Sequence, residues 1–282
     1  MADRSQGSLV ARRILRNPIA VAGLAIILGY LFIAAFAPHI APFDPTAQDL
    51  SRSFAPISAG NPMGCDEFGR DILSRIIFGA RTSLIIQFFS VCIALVIGVF
   101  LGALGGYFGG RLDEAIMRVM DVLLAFPGIL LALAIVAMLG PDLRNLIIAI
   151  GVYSIPQFAR ITRGSVISVR QNDYVTAARA IGENQSSIIL RYVLPNAISP
   201  IIIQTTLRMA TVLLTAAGLG FLGLGVQPPE PEWGTMLSNA RMYLRSAPMV
   251  AVFPGLSIML VVLGFNFFGD GLQDALNPRL KE

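Results

Sequence analysis

"TSLIIQFFSVCIALVIGVFLGALGGYFGG", residues 82–110, contains no Asp, Glu, Lys or Arg. About 20 apolar residues in a helix cross the hydrocarbon core of a bilayer. This run is long enough to do so, and it carries no charge to hold it in water. Its Gly98, Gly102 and Gly106 recur every four residues. That spacing sets three bare backbones on one helix face, where a second helix gains close approach.

Working outward, residues 19–37, 122–141 and 246–269 are equally uncharged, and each reads as a transmembrane helix. Residues 145–159 lie between Arg144 and Arg160 and include Pro156; they read as the fourth span in chain order. Residues 199–224, apolar but for Arg208, read as the fifth. The whole chain agrees: of 282 residues, 55% are hydrophobic and 13% charged, against about 25% charged in soluble domains. Mean hydropathy is +0.71. The expected fold is all-α and polytopic, with about six transmembrane helices in the lipid bilayer. The divisions expected are a cytoplasmic tail 1–18, a first transmembrane helix 19–38, an extracytoplasmic loop 39–81, a core of five transmembrane helices 82–270 holding an inner loop 160–196, and a cytoplasmic tail 271–282. Thirteen of the 21 basic residues then fall on the side of the N-terminus and seven on the other, Arg208 being inside a span. Basic residues collect on the cytoplasmic side, so both termini are expected there, in the cell inner membrane.

Composition excludes several chemistries. Lys281 is the only lysine and no Gly-rich loop precedes it, so there is no P-loop. His39 is the only histidine, which leaves no metal cluster and no Ser-His-Asp set. Cys65 sits in a loop and Cys92 in an apolar run, and both read as inert thiols. "GLGFLG", residues 218–223, matches a dinucleotide fingerprint but ends an apolar helix rather than opening one after a strand, so close helix packing is the better reading. No catalytic residue, no bound metal and no nucleic-acid partner are expected.

Two sets of polar residues sit within or beside the spans. Gln204, Arg208, Thr211 and Thr215 follow at i, i+4, i+7 and i+11, one polar face on an apolar helix. Such a face either bonds to a neighbouring helix or lines a polar solute's path, where Arg208 would attract a carboxylate. Asp121 lies three residues after Arg118; it either pairs with that arginine or belongs to the path. Residues 227–245, with "QPPEPEWGTML" and the only Trp, read as a structured outer cap at the membrane interface.

The inner loop holds "YVTAARAIG", residues 174–182. Asn172 or Asp173 suits the N-cap of a helix and Gly182 the C′ position that ends it. Tyr174, Ala177, Ala178 and Ile181 form an apolar stripe. Ser186 suits the cap of a second helix running to Pro195. The first helix is too short to be stable alone, so it requires a partner surface or the lipid headgroups.

"TAARAIGENQSSIILRYVLP" resembles the EAA loop of ABC-importer permeases: Glu-Ala-Ala, three residues, Gly, nine residues, Ile, one residue, Leu-Pro. Ala177, Ala178, Gly182, Leu194 and Pro195 stand at matching positions; Thr176 replaces the Glu and Tyr192 the Ile. "GCDEFGRDILSRIIFGARTSL" (64–84), "GYFGGRLDEAIMRVMD" (106–121), "GFLGLGVQPPEPEWGTML" (220–237) and "FNFFGDGLQDALNPRLK" (265–281) resemble the C-type permease of the dipeptide/oligopeptide/nickel subfamily. The resemblance implies a heterodimer with a second homologous permease, two cytoplasmic ATPases and an extracytoplasmic solute-binding protein. ATP and Mg would sit in the ATPases, and this chain would bind no cofactor. It implies ATPase coupling through Tyr174, Ala177, Ala178, Arg179, Gly182, Glu183 and Pro195. The charged "DEFGRD" segment, expected to be partly helical, would dock the binding protein through Asp66, Glu67, Arg70 and Asp71, or cap the permease dimer. Di- or oligopeptides are the expected cargo; nickel complexes, glutathione or oligosaccharides suit the same architecture. A self-sufficient secondary transporter, with Asp121 as its acid, is the rival reading, and an intramembrane enzyme a weaker one.

Overall fold

The computed structural model describes residues 3–276, with side chains from Val10 onward. Every regular element among them is helical: α1 (Asp3–Arg16), α2 (Pro18–Ala35), α3 (Ala37–Ile40), α4 (Ile72–Phe108), α5 (Gly110–Leu124), α6 (Gly128–Leu139), α7 (Leu143–Arg170), α8 (Asp173–Ala180), α9 (Gln185–Ile188), α10 (Leu194–Phe221), α11 (Trp233–Ala240) and α12 (Met249–Leu276). A π turn, Ile189–Val193, joins α9 to α10, so Gln185–Phe221 is one rod.

Four rods are long and apolar enough to cross a membrane: α2, α4, Gln185–Phe221 and α12. The transmembrane helix expected at 122–141 is broken in two. α5 and α6 meet at 86°, and count as a fifth span only if taken together. Pro127 lacks the N–H that would continue α5. The twelve residues of α6 reach about 18 Å, short of the ~30 Å hydrocarbon core. The segment expected at 145–159 belongs to the 28-residue α7, with Pro156 inside and Arg160, Arg163 and Arg170 in its second half. α7 is not among the four apolar rods, although it makes the most extensive helix pair, against α4. Helix ends depart from the hydropathy boundaries elsewhere too. α1 occupies most of the expected N-terminal tail, α4 begins at Ile72 within the expected outer loop, and α12 ends at Leu276. Residues 277–282, including Arg279 and Lys281 of the orientation argument, lie outside the described residues.

The glycine face of α4 does what its spacing predicts. A Cβ at Gly98 would stand 2.5 Å from the Phe158 Cβ, at Gly102 2.4 Å from the Ala159 carbonyl oxygen, and at Gly106 2.8 Å from the Arg163 carbonyl oxygen. The backbones of α4 and α7 therefore touch along three turns. Three apolar clusters follow one another along α4. One surrounds Trp233 with α2, α11 and α12. A middle one holds Leu146, Ile150 and Phe158. The last holds Tyr107, Val166, Val175 and Val193.

Trp233 is fully buried rather than interfacial. Its indole Nε1 donates to the Ile76 carbonyl at 3.1 Å, its ring lies over Gly79, and Tyr30 meets it edge-on at 5.6 Å. Trp233→Ala is expected to cost about 3–5 kcal/mol. The melting temperature of the detergent-solubilised protein should fall accordingly; an unchanged value would mean that α11 is held by something else.

Candidate functional site

The Tyr107 end of α4 carries α8. Asn172 occupies the N-cap position, but its side chain does not cap; its Nδ2 donates back to the Val169 carbonyl at 3.0 Å. Asp173 supplies negative charge to the first turn. At the other end Gly182 has φ +81°. The Gly182 N–H donates to the Arg179 carbonyl at 3.0 Å and the Glu183 N–H to the Ala178 carbonyl at 3.2 Å, the bond pair of a Schellman cap. The next helix is capped by Asn184, whose Oδ1 accepts from the Ser186 N–H at 3.1 Å, so Ser186 is not the cap. Nor does Pro195 end that helix. The π turn before it bonds one residue further along and relieves the ring's clash with the preceding turn.

The apolar stripe of α8 divides. Of its four residues only Ala178 is buried, together with Val175, which lies outside the expected stripe; both pack into the cluster of Tyr107, Val166 and Val193. Tyr174 (42% exposed), Ala177 and Ile181 (81% exposed) face outward, with Leu190 (66% exposed) of the following π turn also open. Arg179 turns back, its guanidinium 5.0 Å over the Tyr107 ring. Glu183 accepts from the Ser187 hydroxyl at 2.7 Å, and that bond, with one from Tyr192, holds its carboxyl below the ordinary range. Pro195 is exposed in an apolar groove of 720 Å³ between α4 and α10, beside Val96, Phe100, Ile198 and Ile202. Tyr107 was missed by the sequence reading. Its signal is a lone aromatic pair in the small-residue run "GALGGYFGG".

The polar face of α10 forms as expected, with its residues at different depths. Arg208 is 7% exposed and makes no ion pair among the described residues. Its Nη1 donates to the Thr211 Oγ1 at 3.4 Å, while Nε and Nη2 are buried without a partner. The guanidinium lies 5.1 Å over the Tyr153 ring, and the Tyr153 hydroxyl is 3.4 Å from the Thr215 Oγ1. Thr211 is exposed; Gln204 and Thr215 are half-buried. Tyr153 also abuts Gly128, where a Cβ would stand 2.5 Å from the ring. One aromatic ring thus joins the elbow before α6, the middle of α7 and the arginine of α10.

Asp121 does not pair with Arg118. It accepts from the Arg160 Nη2 at 2.5 Å, tying α5 to α7, while Arg118 turns to Glu114 one helical turn back, at 3.2 Å. A second tie, missed in the sequence, runs from Arg163 Nε and Nη2 to the two oxygens of Asp113 at 2.5 and 2.6 Å.

At the opposite, Ile76 end of α4, "DEFGRD" is a turn rather than a helix, closed by the Cys65–Asp71 bridge. Gly69 has φ +72° and sits so close to the Asp49 carbonyl that no side chain fits. Asp66, Arg70 and Asp71 are buried. Arg70 Nε donates to Asp66 at 2.6 Å and its Nη2 to Glu67 at 3.2 Å, and Arg75 adds a contact to Asp66 at 3.4 Å. Asp71 caps α4 through the Ser74 N–H at 2.8 Å. Burial raises the Glu67 carboxyl above its usual range. Asp66, Glu67 and Arg70 bond to one another, and Asp71 bonds to Asn61 and Ser74.

Glu232, which the sequence reading passed over, is a third buried acid at this end, beside Asp66 and Asp71. Its carboxylate accepts from the Gly234 and Thr235 N–H groups, both at 2.8 Å, capping α11. Burial pushes its carboxyl up. Gly220 and Gly225 leave it room: a Cβ at Gly220 would stand 2.6 Å from Oε2 and one at Gly225 3.3 Å from it.

Apolar rods, a polar arginine-bearing face within one of them, and a capped amphipathic helix left open at one end define a membrane-embedded transport subunit. Residues 94–282 match the family described as binding-protein-dependent transport system inner membrane component, and residues 5–56 the N-terminal TM domain of oligopeptide transport permease C. The chain belongs to this family of inner-membrane ABC-transporter permeases. It is 49% identical over 270 residues to the dipeptide transport system permease protein DppC of Alkalihalophilus pseudofirmus, covering 96% of this chain and 89% of that one. It is 49% identical to the di/tripeptide permease DppC of Pseudomonas aeruginosa (94% and 89%). It is 46% identical to the glutathione permease GsiD of Pectobacterium atrosepticum (96% and 90%). The fold resembles that of the inward-facing MetNI methionine ABC transporter, with a TM-score of 0.60 and 19% identity over 73% of this chain and 98% of that one.

Proposed function

We propose that this chain forms half of the translocation path of an importer for di- or oligopeptides, paired with a second, homologous permease and driven by two cytoplasmic ATPases. The observation that carries the reading is α8. A cap at Gly182 fixes its end, one face is sunk into the protein, and Tyr174, Ala177 and Ile181 are left uncovered. Large exposed apolar groups rimmed by polar residues mark partner sites, and the chain has no phosphate-binding loop of its own. In this reading α8 faces the cytoplasm, as do both termini, and α7 is the fourth span in chain order, bringing the total to six. ATP and Mg reside in the ATPases. The second permease covers the groove of Phe100, Pro195 and Ile202, and the solute-binding protein docks on the loop before α4, whose shape Asp66, Glu67, Arg70 and Asp71 hold.

The relatives transport dipeptides, tripeptides or glutathione by name, all peptides with free carboxylates. The half-partnered Arg208 suits such a cargo, with Gln204, Thr211, Thr215 and, near the α5–α6 elbow, Asp121 beside the path. Ala177→Asp puts an unpaired charge into the proposed ATPase contact, a cost of at least ~1.4 kcal/mol, or tenfold in affinity. Co-purification of the ATPases should fall by that factor while the permease pair stays assembled. Full retention of the ATPases would refute docking at α8.

A further inference from the structure

We infer that Tyr107 is a positioning residue through which motion of α8 enters α4, so that one rigid rod links the cytoplasmic contact to the cap at its far end. This rests on the reading of α8 as the ATPase contact.

Three observations meet at Tyr107. The side chain is 5% exposed and lies in the cluster that buries Val175 and Ala178 of α8. Arg179, from the same short helix, lies over its ring at 5.0 Å. Arg170, the last residue of α7, donates through Nη1 to its carbonyl at 2.6 Å. α8 therefore sits on the end of α4 rather than only on its own flanking helices. The Arg163–Asp113 clamp and the contact of Gly106 with α7 fix the same end from the other side.

α4 is a 37-residue helix without a break, about 55 Å long. Its other end is held just as directly. Trp233 donates to the Ile76 carbonyl, Ser83 lies 3.4 Å from the Glu232 carboxylate, and Arg75 donates to the Pro229 carbonyl at 3.3 Å. A displacement of α8 that Tyr107 transmits thus reaches α11 through one element. Arg179 accordingly acts inward, on the seat of α8, although its sequence position offered it as an ATPase contact.

The test uses the complete importer in liposomes, with its ATPases and binding protein, and reads ATP hydrolysed per peptide imported. An exposed guanidinium over a buried aromatic ring contributes enough for about a fivefold effect. Tyr107→Leu, which keeps apolar volume and removes the ring, should raise that ratio about fivefold with the ATPases still bound. Tyr107→Phe, which keeps the ring, should restore it. Tyr107 is too buried to touch an ATPase, so loss of a direct contact cannot produce this pattern. Should Tyr107→Leu fail to assemble, Arg179→Gln at its exposed position should raise the ratio and Arg179→Lys should restore it. A wild-type ratio in Tyr107→Leu, or in Arg179→Gln where that variant replaces it, overturns the proposal. So does an equal rise in Tyr107→Phe. Failure of the docking reading itself is separate: it shows as ATPases retained by Ala177→Asp.

Discussion

Gly102→Val should leave little folded protein in the membrane. The new Cβ would lie 2.4 Å from the Ala159 carbonyl oxygen, 2.8 Å from the Thr162 Cβ and 3.0 Å from the Arg163 nitrogen. Two of these three are backbone atoms, which no rotamer change moves away, so α4 and α7 must separate by an ångström or more. Overpacking in a dense interior costs typically 1–3 kcal/mol, and here separation also loosens the neighbouring contacts of Gly98 and Gly106 on the same face. The expected loss is at least about 3 kcal/mol, read as a lower melting temperature and a lower yield of monodisperse protein. Gly164→Ala, on α7 with nothing within 4 Å, is the matching control. It should be neutral or add up to about 1 kcal/mol, the helix-propensity gain over glycine. A Gly102→Val protein as stable as the parent would mean that α4 and α7 do not meet at this face.

Arg208→Met should separate stability from transport. Two nitrogens of this guanidinium are buried without partners, and a buried charge lacking its counter-ion is costly. Methionine fills similar volume without that cost, so melting temperature should hold or rise. If a peptide carboxylate meets Arg208 on its way through, the lost charged hydrogen bonds are worth about 1.5–3 kcal/mol, and import should slow by roughly ten- to a hundredfold. Arg208→Lys keeps the charge but not the planar fork and should fall between. Unchanged import together with lowered stability would make Arg208 a packing residue and remove it from the path.

Much of the fold was legible in the chain because lipid demands it. Uncharged runs long enough to cross a bilayer have few alternatives to a helix, and residues 19–37, 82–110 and 246–269 all lie largely within such helices. The run at 122–141 misled because hydropathy ignores direction: Pro127 stops one helix and Gly128 starts another, and no average over side chains records a bend of 86°. The polar face of α10 and the Gly182 cap were legible for a related reason, since both depend on spacing along one helix.

The partners of individual charges were not legible. Asp121 meets Arg160 instead of Arg118, Arg179 meets Tyr107, and Glu232 meets the first turn of α11. Local spacing offers each charge several neighbours of equal merit, and the choice falls to whichever helix packs against it. Residue order and hydropathy by themselves determined a bundle of membrane helices with one capped amphipathic helix between two of them. Which face of that helix is buried, that its arginine points inward, and that α4 runs unbroken from its seat to the buried Trp233 were decided only by tertiary packing. Close approach at Gly98, Gly102 and Gly106 sets how α4 lies on α7, because backbone atoms meet there with no side chain between them.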